Sequence, residues 1–494
     1  MKYLREFQTR GEYDSFIAST LDYPNVCLIA DDNAVTYNPI PTPLYIEAIE
    51  DITVSFGNNY EYSKDNKTWT SATSSTSISA VAGEKVYFRA SELTGLAQAG
   101  SVGSFTTSGG KCNVGGNAIS MICDANYVDK TKLPRKTLFY NLFYDCRNIV
   151  DASSLQLPAT TLTDYCYEYM FYGCTSLVSA PELPATTLAN GCYESMFRGC
   201  TSLVNAPELP ATTLAKNCYE SMFEGCTSLV NAPELPATTL AEYCYYFMFS
   251  GCTSLVNAPA LPATTLANYC YYVMFSGCSS LVNAPELPAT TLKIYCYSSM
   301  FGECTSLVNA PELPATTLKT NCYSSMFRGC TSLVNAPALP ATTLANFCYS
   351  GMFSGCTSLV DVPELPVTTL ATACYYYMFS ECTSLVNAPE LPATTLAERC
   401  YEHMFHGCTS LVNAPELPAT TLENDCYYFM FYDCRKLSYI KAMFTTTPST
   451  DYMNYWAANV ASNGTFVKNS AATWENTFGP SAIPEGWTVE YADA

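Results

Sequence analysis

The chain has 494 residues and a formal net charge of −21, and its 38 tyrosines outnumber its 23 lysines and arginines. This acidity argues against nucleic acid or an anionic membrane as the main partner, because both require clustered basic side chains. No apolar run approaches the ~20 residues that a membrane-spanning helix needs, which excludes membrane insertion by a helix.

The first part of the chain has the pattern of a small module. Residues 1–8 lack the apolar core of a secretory signal, so we expect no signal peptide. Residues 11–17 indicate a short amphipathic helix, and residues 26–37 indicate a β-hairpin. We therefore assign residues 1–40 to an N-terminal α+β mounting module, which can also mediate self-association.

The next region has the pattern of strands and turns. Ile52–Phe56, Tyr60–Ser63 and Lys85–Arg89 are rich in β-branched and aromatic residues and are separated by polar stretches. This spacing predicts a small β-sandwich over residues 45–108, which we interpret as a spacer.

The largest part of the chain is an array of repeats. Residues 166–434 contain eleven units with a period of 26 residues and no insertion or deletion, each close to CYxxMFxGCTSLVNAPELPATTLAxx. A strict period in this range predicts a repeat solenoid of the leucine-rich-repeat type, in which each unit buries its apolar side only against its neighbours. We assign residues 112–165 to an N-terminal cap with a degenerate repeat, and residues 435–494 to a C-terminal cap.

Each unit is predicted to contain a short helix and an extended segment. Cys166, Met170 and Cys174 are spaced four residues apart, which places them on one face of a helix. In the following unit, Pro207 and Pro210 exclude a helix and limit strand pairing, so that segment is expected to be extended with an imperfect sheet. The column of tyrosines after the first Cys and the column of asparagines are interpreted as structural stacks.

The cysteines are predicted to be buried thiols. Two columns of the repeat contain 22 of the 26 cysteines. Residues eight apart on a helix lie ~12 Å apart along its axis, which is too far for a disulfide. This geometry favours free thiols over disulfides, and the spacing does not match a zinc site.

Differences between the units concentrate at a few positions, which we call the variable face. These positions are the two residues before the first Cys, the two residues after the Tyr that follows it, and the one or two residues before the second Cys. Their mixture of Tyr, Ser, Asn and Gly resembles the composition of antibody loops and favours a binding face over neutral drift. The predicted partner-binding residues are Tyr165, Tyr169, Tyr172, Tyr243, Tyr246, Phe247, Tyr269, Tyr272, Tyr295, Phe347, Tyr376, Tyr377, Tyr428, Phe429 and Tyr432.

The sequence contains no pattern typical of an enzyme. Like residues are arrayed in rows, and there is no nucleotide-binding loop, Ser-His-Asp set or pair of catalytic carboxylates. His403 and His406 have a spacing that could hold a metal ion, but a chance occurrence on the surface is the favoured interpretation. We expect no catalytic residue, no metal site and no cofactor.

The repeated MFxGCTSL, followed by an extended PELP and a TTL turn, resembles the BspA-like leucine-rich-repeat surface proteins of Bacteroidetes. The resemblance extends over roughly residues 112–445 and implies adhesion to a host or matrix protein or to another cell, without catalysis. The segments before the repeats are similar to modules attached to such repeats in Bacteroides and their phages.

We therefore predict a non-enzymatic adhesion protein that recognises a protein or glycan on a cell surface or matrix. Its expected location is the cell surface, the extracellular space or a phage particle. Two alternatives remain open at this stage: a receptor-binding appendage of a phage tail or capsid, and a subunit of a structural filament.

Overall fold

The computed structural model describes the backbone of residues 27–31 and 34–38, and the whole of residues 42–90, 102–122 and 131–492. The predicted helix at residues 11–17 lies outside the described residues. Strands β1 (Cys27–Asp31) and β2 (Ala34–Asn38) pair antiparallel, with Cys27 opposite Asn38. The two strands of the predicted hairpin are thus confirmed.

Two sheets follow in the N-terminal region. Their strands are β3 Leu44–Ala48, β4 Ile52–Phe56, β5 Tyr60–Ser63, β6 Thr70–Ala72, β7 Ile78–Ala80, β8 Lys85–Arg89, β9 Phe105–Gly109, β10 Cys112–Asn117 and β11 Ile149–Gln156. One sheet has six strands in the order β11-β10-β3-β8-β5-β6, and the other has three in the order β7-β4-β9. The three strands named from the sequence are present with the expected bounds.

The two sheets contact each other through aromatic side chains. Phe56 on β4 and Phe105 on β9 pack edge-on against Phe88 on β8, with ring centroids 5.8 and 4.8 Å apart. Every second residue of β3 and β4 is buried, which is the pattern of a strand with one face in a core. A 3-10 helix, η1 (Ala118–Met121), follows β10 and is entirely buried.

The same six-stranded sheet connects this region to the repeats. Strand β10 pairs antiparallel with β3 on one side and parallel with β11 on the other. Phe105 also stacks on Phe143, which lies in the degenerate repeat, at 5.6 Å. The segment interpreted from the sequence as a separate spacer therefore shares both a sheet and a core with the beginning of the repeat region.

The predicted short helix in each unit is wrong. Residues 165–174 form a chain of turns in which Tyr165, Tyr169 and Gly173 have φ of 56°, 55° and 70°. A left-handed residue at every fourth position cannot belong to an α-helix, whose residues all have negative φ. Buried residues nevertheless recur every four residues, as they would on one face of a helix, because the turns repeat with the same period.

Hydrogen bonds of the turn segment alternate between two directions. The amides of Met170 and Cys174 donate to carbonyls three residues earlier, those of Tyr167 and Phe171 respectively, at 3.2 and 3.1 Å. The amide of Phe171 donates instead to Met196 in the next unit, at 2.8 Å. Successive units are therefore joined by rows of backbone hydrogen bonds between residues 25 apart, and these rows satisfy the polar backbone of a buried segment.

The opposite side of each unit is extended but hardly paired. Single parallel bridges join Asn205 to Asn231, Asn231 to Asn257, and so on along that column. The amide side chains of Asn231 and Asn309 donate to the preceding asparagine at 2.9 and 3.0 Å, as expected of a structural amide stack. The prolines that follow the asparagines remove donors and limit the pairing along this segment. A second set of single bridges joins threonines of some neighbouring units, such as Thr239 and Thr265.

The stacking of units extends past the last perfect repeat. The amide of Phe431 donates to the carbonyl of Trp456, which is completely buried. Strands β12 (Tyr439–Ala442), β13 (Thr465–Asn469) and β14 (Thr488–Ala492) form a parallel sheet, and a single turn of α-helix, α1, covers Thr450–Met453.

Among the residues that the structure describes, none of the helices has both the length and the apolar character that a membrane span requires.

Candidate binding face

The inner side of the turn segment is a set of aromatic ladders. The Tyr after the first Cys of each unit is at most 2% exposed, and successive rings stack nearly parallel, as Tyr219 does on Tyr193 and Tyr245 at 5.8 and 5.9 Å. The phenylalanines form a second ladder, in which Phe275 lies between Phe249 and Phe301 at 5.6 and 5.7 Å. These rings fill the core between units, so they are not available to a partner.

The cysteines line the same core as free thiols. All 24 cysteines whose side chains the structure describes are buried and unpaired. In the second column each thiol donates to a phenylalanine carbonyl of the preceding unit, as Cys200 does to Phe171 at 3.1 Å. Burial raises the pKa of these thiols, to about 12 for Cys226, so they are not reactive thiolates. Free thiols were expected, but the helical geometry used to argue for them is absent.

All fifteen predicted partner-binding residues lie on the other side of the turn segment, at the edge of solvent. They occupy the position before the first Cys of a unit and the second, third and sixth positions after it. Tyr165 is 38% exposed and the others are half-buried, because each ring rests partly on its neighbours. The variable face is therefore a surface in which aromatic side chains are packed but accessible.

Six of these residues form a continuous cluster, which we call the central patch. Tyr243 stacks on Tyr269 at 4.8 Å, and Tyr269 stacks on Tyr295 at 4.9 Å. A second row runs beside the first, with Tyr246 stacked on Tyr272 at 5.0 Å. The central patch consists of Tyr243, Tyr246, Phe247, Tyr269, Tyr272 and Tyr295.

A second cluster, the C-terminal patch, contains two histidines of the variable face that were not among the predicted partner-binding residues. His403 stacks between Tyr377 at 4.2 Å and Phe429 at 5.0 Å, and His406 stacks on Tyr432 at 5.4 Å. Burial, followed by the neighbouring His406, lowers the pKa of His403 to about 4, so this ring is neutral near pH 7. The C-terminal patch consists of Tyr376, Tyr377, His403, His406, Tyr428, Phe429 and Tyr432.

The remaining predicted residues lie apart from these patches. Tyr165, Tyr169 and Tyr172 are at the first unit, where Tyr172 stacks on Tyr144 at 4.9 Å. Phe347 has no aromatic contact within the described residues. The structure thus separates the predicted residues into several clusters along the face.

The backbone beneath the variable face is strained where it bears large side chains. The positions before the first Cys and three after it have φ between 50° and 60° in every unit, for example 55° at Phe247 and 58° at Val273. Glycine adopts this conformation freely, whereas other residues do so at a cost of roughly 1 kcal/mol. Only Gly191 and Gly351 are glycine at these positions in the eleven units. Most units therefore keep a side chain there against the backbone preference.

A row of carboxylates occupies the variable face of the first three units and was not among the predicted residues. Burial is the main cause that raises the pKa of Glu168 to about 7 and that of Glu194 to about 8, and it also raises the pKa of Glu220. The side chains of Arg198 and Glu224 form an ion pair beside this row at 2.9 Å. The signal was visible in the sequence as Glu at the same position of three consecutive units.

A depression lies between the central and C-terminal patches. It has a volume of about 540 Å³, and its floor is formed by small residues, among them Ser325, Ser350 and Gly351. Tyr376 and Tyr377 of the C-terminal patch form one wall. Among the described residues, no group of three or more His, Cys, Asp or Glu side chains could hold a metal ion.

Comparison with known proteins identifies the repeats. A family model described as the BspA type leucine rich repeat region, in six copies, matches residues 136–272, 249–385 and 348–459. The matched residues contain both patches, the depression and the carboxylate row. No curated protein and no solved structure matches the chain.

Proposed function

Because the chain belongs to the family of BspA-type leucine-rich-repeat proteins, we propose that it is a non-enzymatic binding protein that recognises its partner through the variable face. In this proposal the stacked units form an elongated solenoid, and the N-terminal sheets form a sandwich at one end of it. The site of action is a cell or particle surface, and the partner is a protein or a glycan on another surface.

The observation that carries the proposal is the presence of large side chains at left-handed positions. Tyr243, Phe247 and Val273 have φ of 57°, 55° and 58° and are partly exposed. Glycine would relieve the backbone strain at such positions without opening the core, since these side chains point away from it. Backbone strain of this kind is retained where a side chain has a function beyond folding.

The composition of the face supports the same proposal. Tyrosine gives a large contact area with few rotatable bonds, so little conformational entropy is lost when it binds. In the central patch the rings are already held in place by stacking, which reduces that loss further.

The test is binding of the full chain to an array of immobilised matrix proteins and glycans. We expect the triple variant Tyr243→Ser, Tyr246→Ser, Phe247→Ser to lose binding to the components that the wild-type protein retains. A matched control is Val230→Ser, Val256→Ser, Val282→Ser, which changes three exposed side chains on the extended side of the units. Loss of binding in the control but not in the Tyr variant, or no binding by the wild-type protein, would contradict the proposal.

A further inference from the structure

We infer that the depression between the two patches is a binding site for a neutral oligosaccharide. The inference rests on the proposed function, since it names the ligand class for one part of the variable face. It depends on the floor, the ends and the charges of the depression.

The floor consists of the smallest side chains of the variable face. At the second and third positions after the first Cys, the units starting at Cys322 and Cys348 carry Ser324-Ser325 and Ser350-Gly351, whereas four other units carry Tyr at the second position. The hydroxyls of Ser325, Ser350 and Ser354 therefore line a hollow rather than lying under rings. Such hydroxyls can both donate and accept hydrogen bonds.

Each end of the depression carries a glutamate at a position that favours glycine. The residue before the second Cys is Gly in eight of the eleven units, but Glu303 and Glu381 replace it at the two ends. Both have positive φ, 59° and 62°, so the backbone would be more relaxed with glycine. Glu303 and Glu381 are three repeat periods apart, which corresponds to roughly 14 Å at the spacing of paired strands.

The structure also leaves room for the Glu303 carboxylate. A Cβ atom added at Gly329 would lie 2.6 Å from Oε2 of Glu303, so any other residue at position 329 would displace this carboxylate. In the described residues neither Glu303 nor Glu381 forms an ion pair. Both carboxylates are therefore available as hydrogen-bond acceptors.

Arg328 supplies a hydrogen-bond donor for a ligand in the depression. In an earlier unit, Arg198 at the same repeat position forms an ion pair with Glu224 of the next unit, at 2.9 Å. The residue that corresponds to Glu224 beside Arg328 is Ser354, and Arg328 forms no ion pair among the residues described. Arg328 is exposed and is one of the residues that line the depression.

The charges select the ligand class. The two carboxylates repel a ligand that carries a phosphate, a sulfate or a sialic acid. The guanidinium of Arg328 repels a cationic ligand. A neutral saccharide can use all of these groups, because its hydroxyls donate to carboxylates and accept from Arg328. Its less polar C–H face can lie against the ring of Tyr376 or Tyr377 at the wall, and a length of roughly 14 Å suits a short oligosaccharide.

The experiment measures binding of the full chain to neutral trisaccharides of glucose, mannose, galactose and N-acetylglucosamine, with sialyllactose and heparin fragments as charged comparisons. We expect the wild-type protein to bind at least one neutral trisaccharide and neither charged ligand. Ser350→Tyr places in the depression the residue that Tyr246, Tyr272 and Tyr376 provide at the same position in other units. We expect it to weaken binding at least about tenfold.

Two further variants keep the test independent of folding. Glu303→Gly introduces the common residue of the repeat, so it should fold at least as well as the wild-type protein and bind about tenfold more weakly. Val334→Ser changes an exposed side chain on the extended side of a unit that lines the depression, and it should bind the trisaccharide as the wild-type protein does. Binding of charged ligands only, no binding of any neutral trisaccharide, or unchanged binding by Ser350→Tyr would overturn the inference.

The inference and the proposed function can fail separately. If the Tyr243, Tyr246 and Phe247 variant loses an array component that Ser350→Tyr still binds, and no trisaccharide binds, then the variable face recognises a partner but the depression is not a saccharide site. If none of these variants changes binding to the array, the proposed function itself is wrong.

Discussion

The two sides of the turn segment differ although they are built from alternating pairs of residues in the same nine-residue stretch. On the inner side, Tyr, Met, Phe and Cys are the same in all eleven units and almost completely buried. On the variable face, the residue type changes from unit to unit while the backbone conformation does not. The inner ladders are therefore the packing that all units share, and the differences between units lie on the variable face.

The largest effect is expected from breaking an inner ladder. Phe275 is fully buried between two phenylalanine rings, so Phe275→Ala should lower the free energy of unfolding by about 3–5 kcal/mol. Tyr272→Ala, on the variable face of the same unit, should cost far less. Denaturant unfolding of both variants measures the difference, and equal losses would show that the two sides are not energetically distinct.

A smaller effect is expected from the carboxylate row, and it depends on pH. The folded-state pKa of Glu194 is about 8, above the ordinary value of 4.5, so the folded state binds more protons than the unfolded state between these values. Stability from this group is therefore full below about pH 4.5 and is lost as the pH rises through about 8. We expect Glu194→Gln to reduce the fall in Tm between pH 5 and pH 9 that the wild-type protein shows.

The matched control for this prediction is Glu234→Gln on the extended side, where the carboxylate is exposed. This variant should keep the pH dependence of the wild-type protein. A Glu194→Gln protein whose Tm falls with pH as steeply as that of the wild-type protein would show that Glu194 is not desolvated on the variable face.

The sequence predicted the array, the inner and outer sides and the three strands Ile52–Phe56, Tyr60–Ser63 and Lys85–Arg89, because each depends on a local apolar period. It did not predict the turns, since a four-residue burial period is common to a helix and to a chain of turns with a left-handed residue at every fourth position. Gly351 and Gly355, four apart, were the available signal. The depression was also missed, because it arises from small residues in neighbouring units that only the stacking brings together.

Relief of backbone strain should stabilise the variable face. Val273 is β-branched and has φ of 58°, so Val273→Gly should raise the free energy of unfolding by about 0.5–1 kcal/mol. The adjacent Tyr272 has no positive φ, so Tyr272→Gly should lower it instead. Denaturant unfolding would contradict the assignment of strain if Val273→Gly and Tyr272→Gly were destabilised to the same degree.

The smallest effect is expected from a single hydroxyl of the inner ladder. The Tyr219 ring stacks on both neighbours, but its buried hydroxyl has no hydrogen-bond partner among the residues described. A buried hydroxyl without a partner costs about 1–3 kcal/mol in desolvation, while the ring packs equally well without it. Tyr219→Phe should therefore leave the free energy of unfolding unchanged or raise it by about 1 kcal/mol.

The control for Tyr219→Phe is Tyr219→Leu, which removes the stacked ring as well as the hydroxyl and should be clearly destabilising. If Tyr219→Phe were as destabilised as Tyr219→Leu, the hydroxyl rather than the ring would be what the inner column requires. The invariance of tyrosine there would then reflect a requirement for the hydroxyl, and the inner tyrosine column could no longer be explained by ring stacking alone.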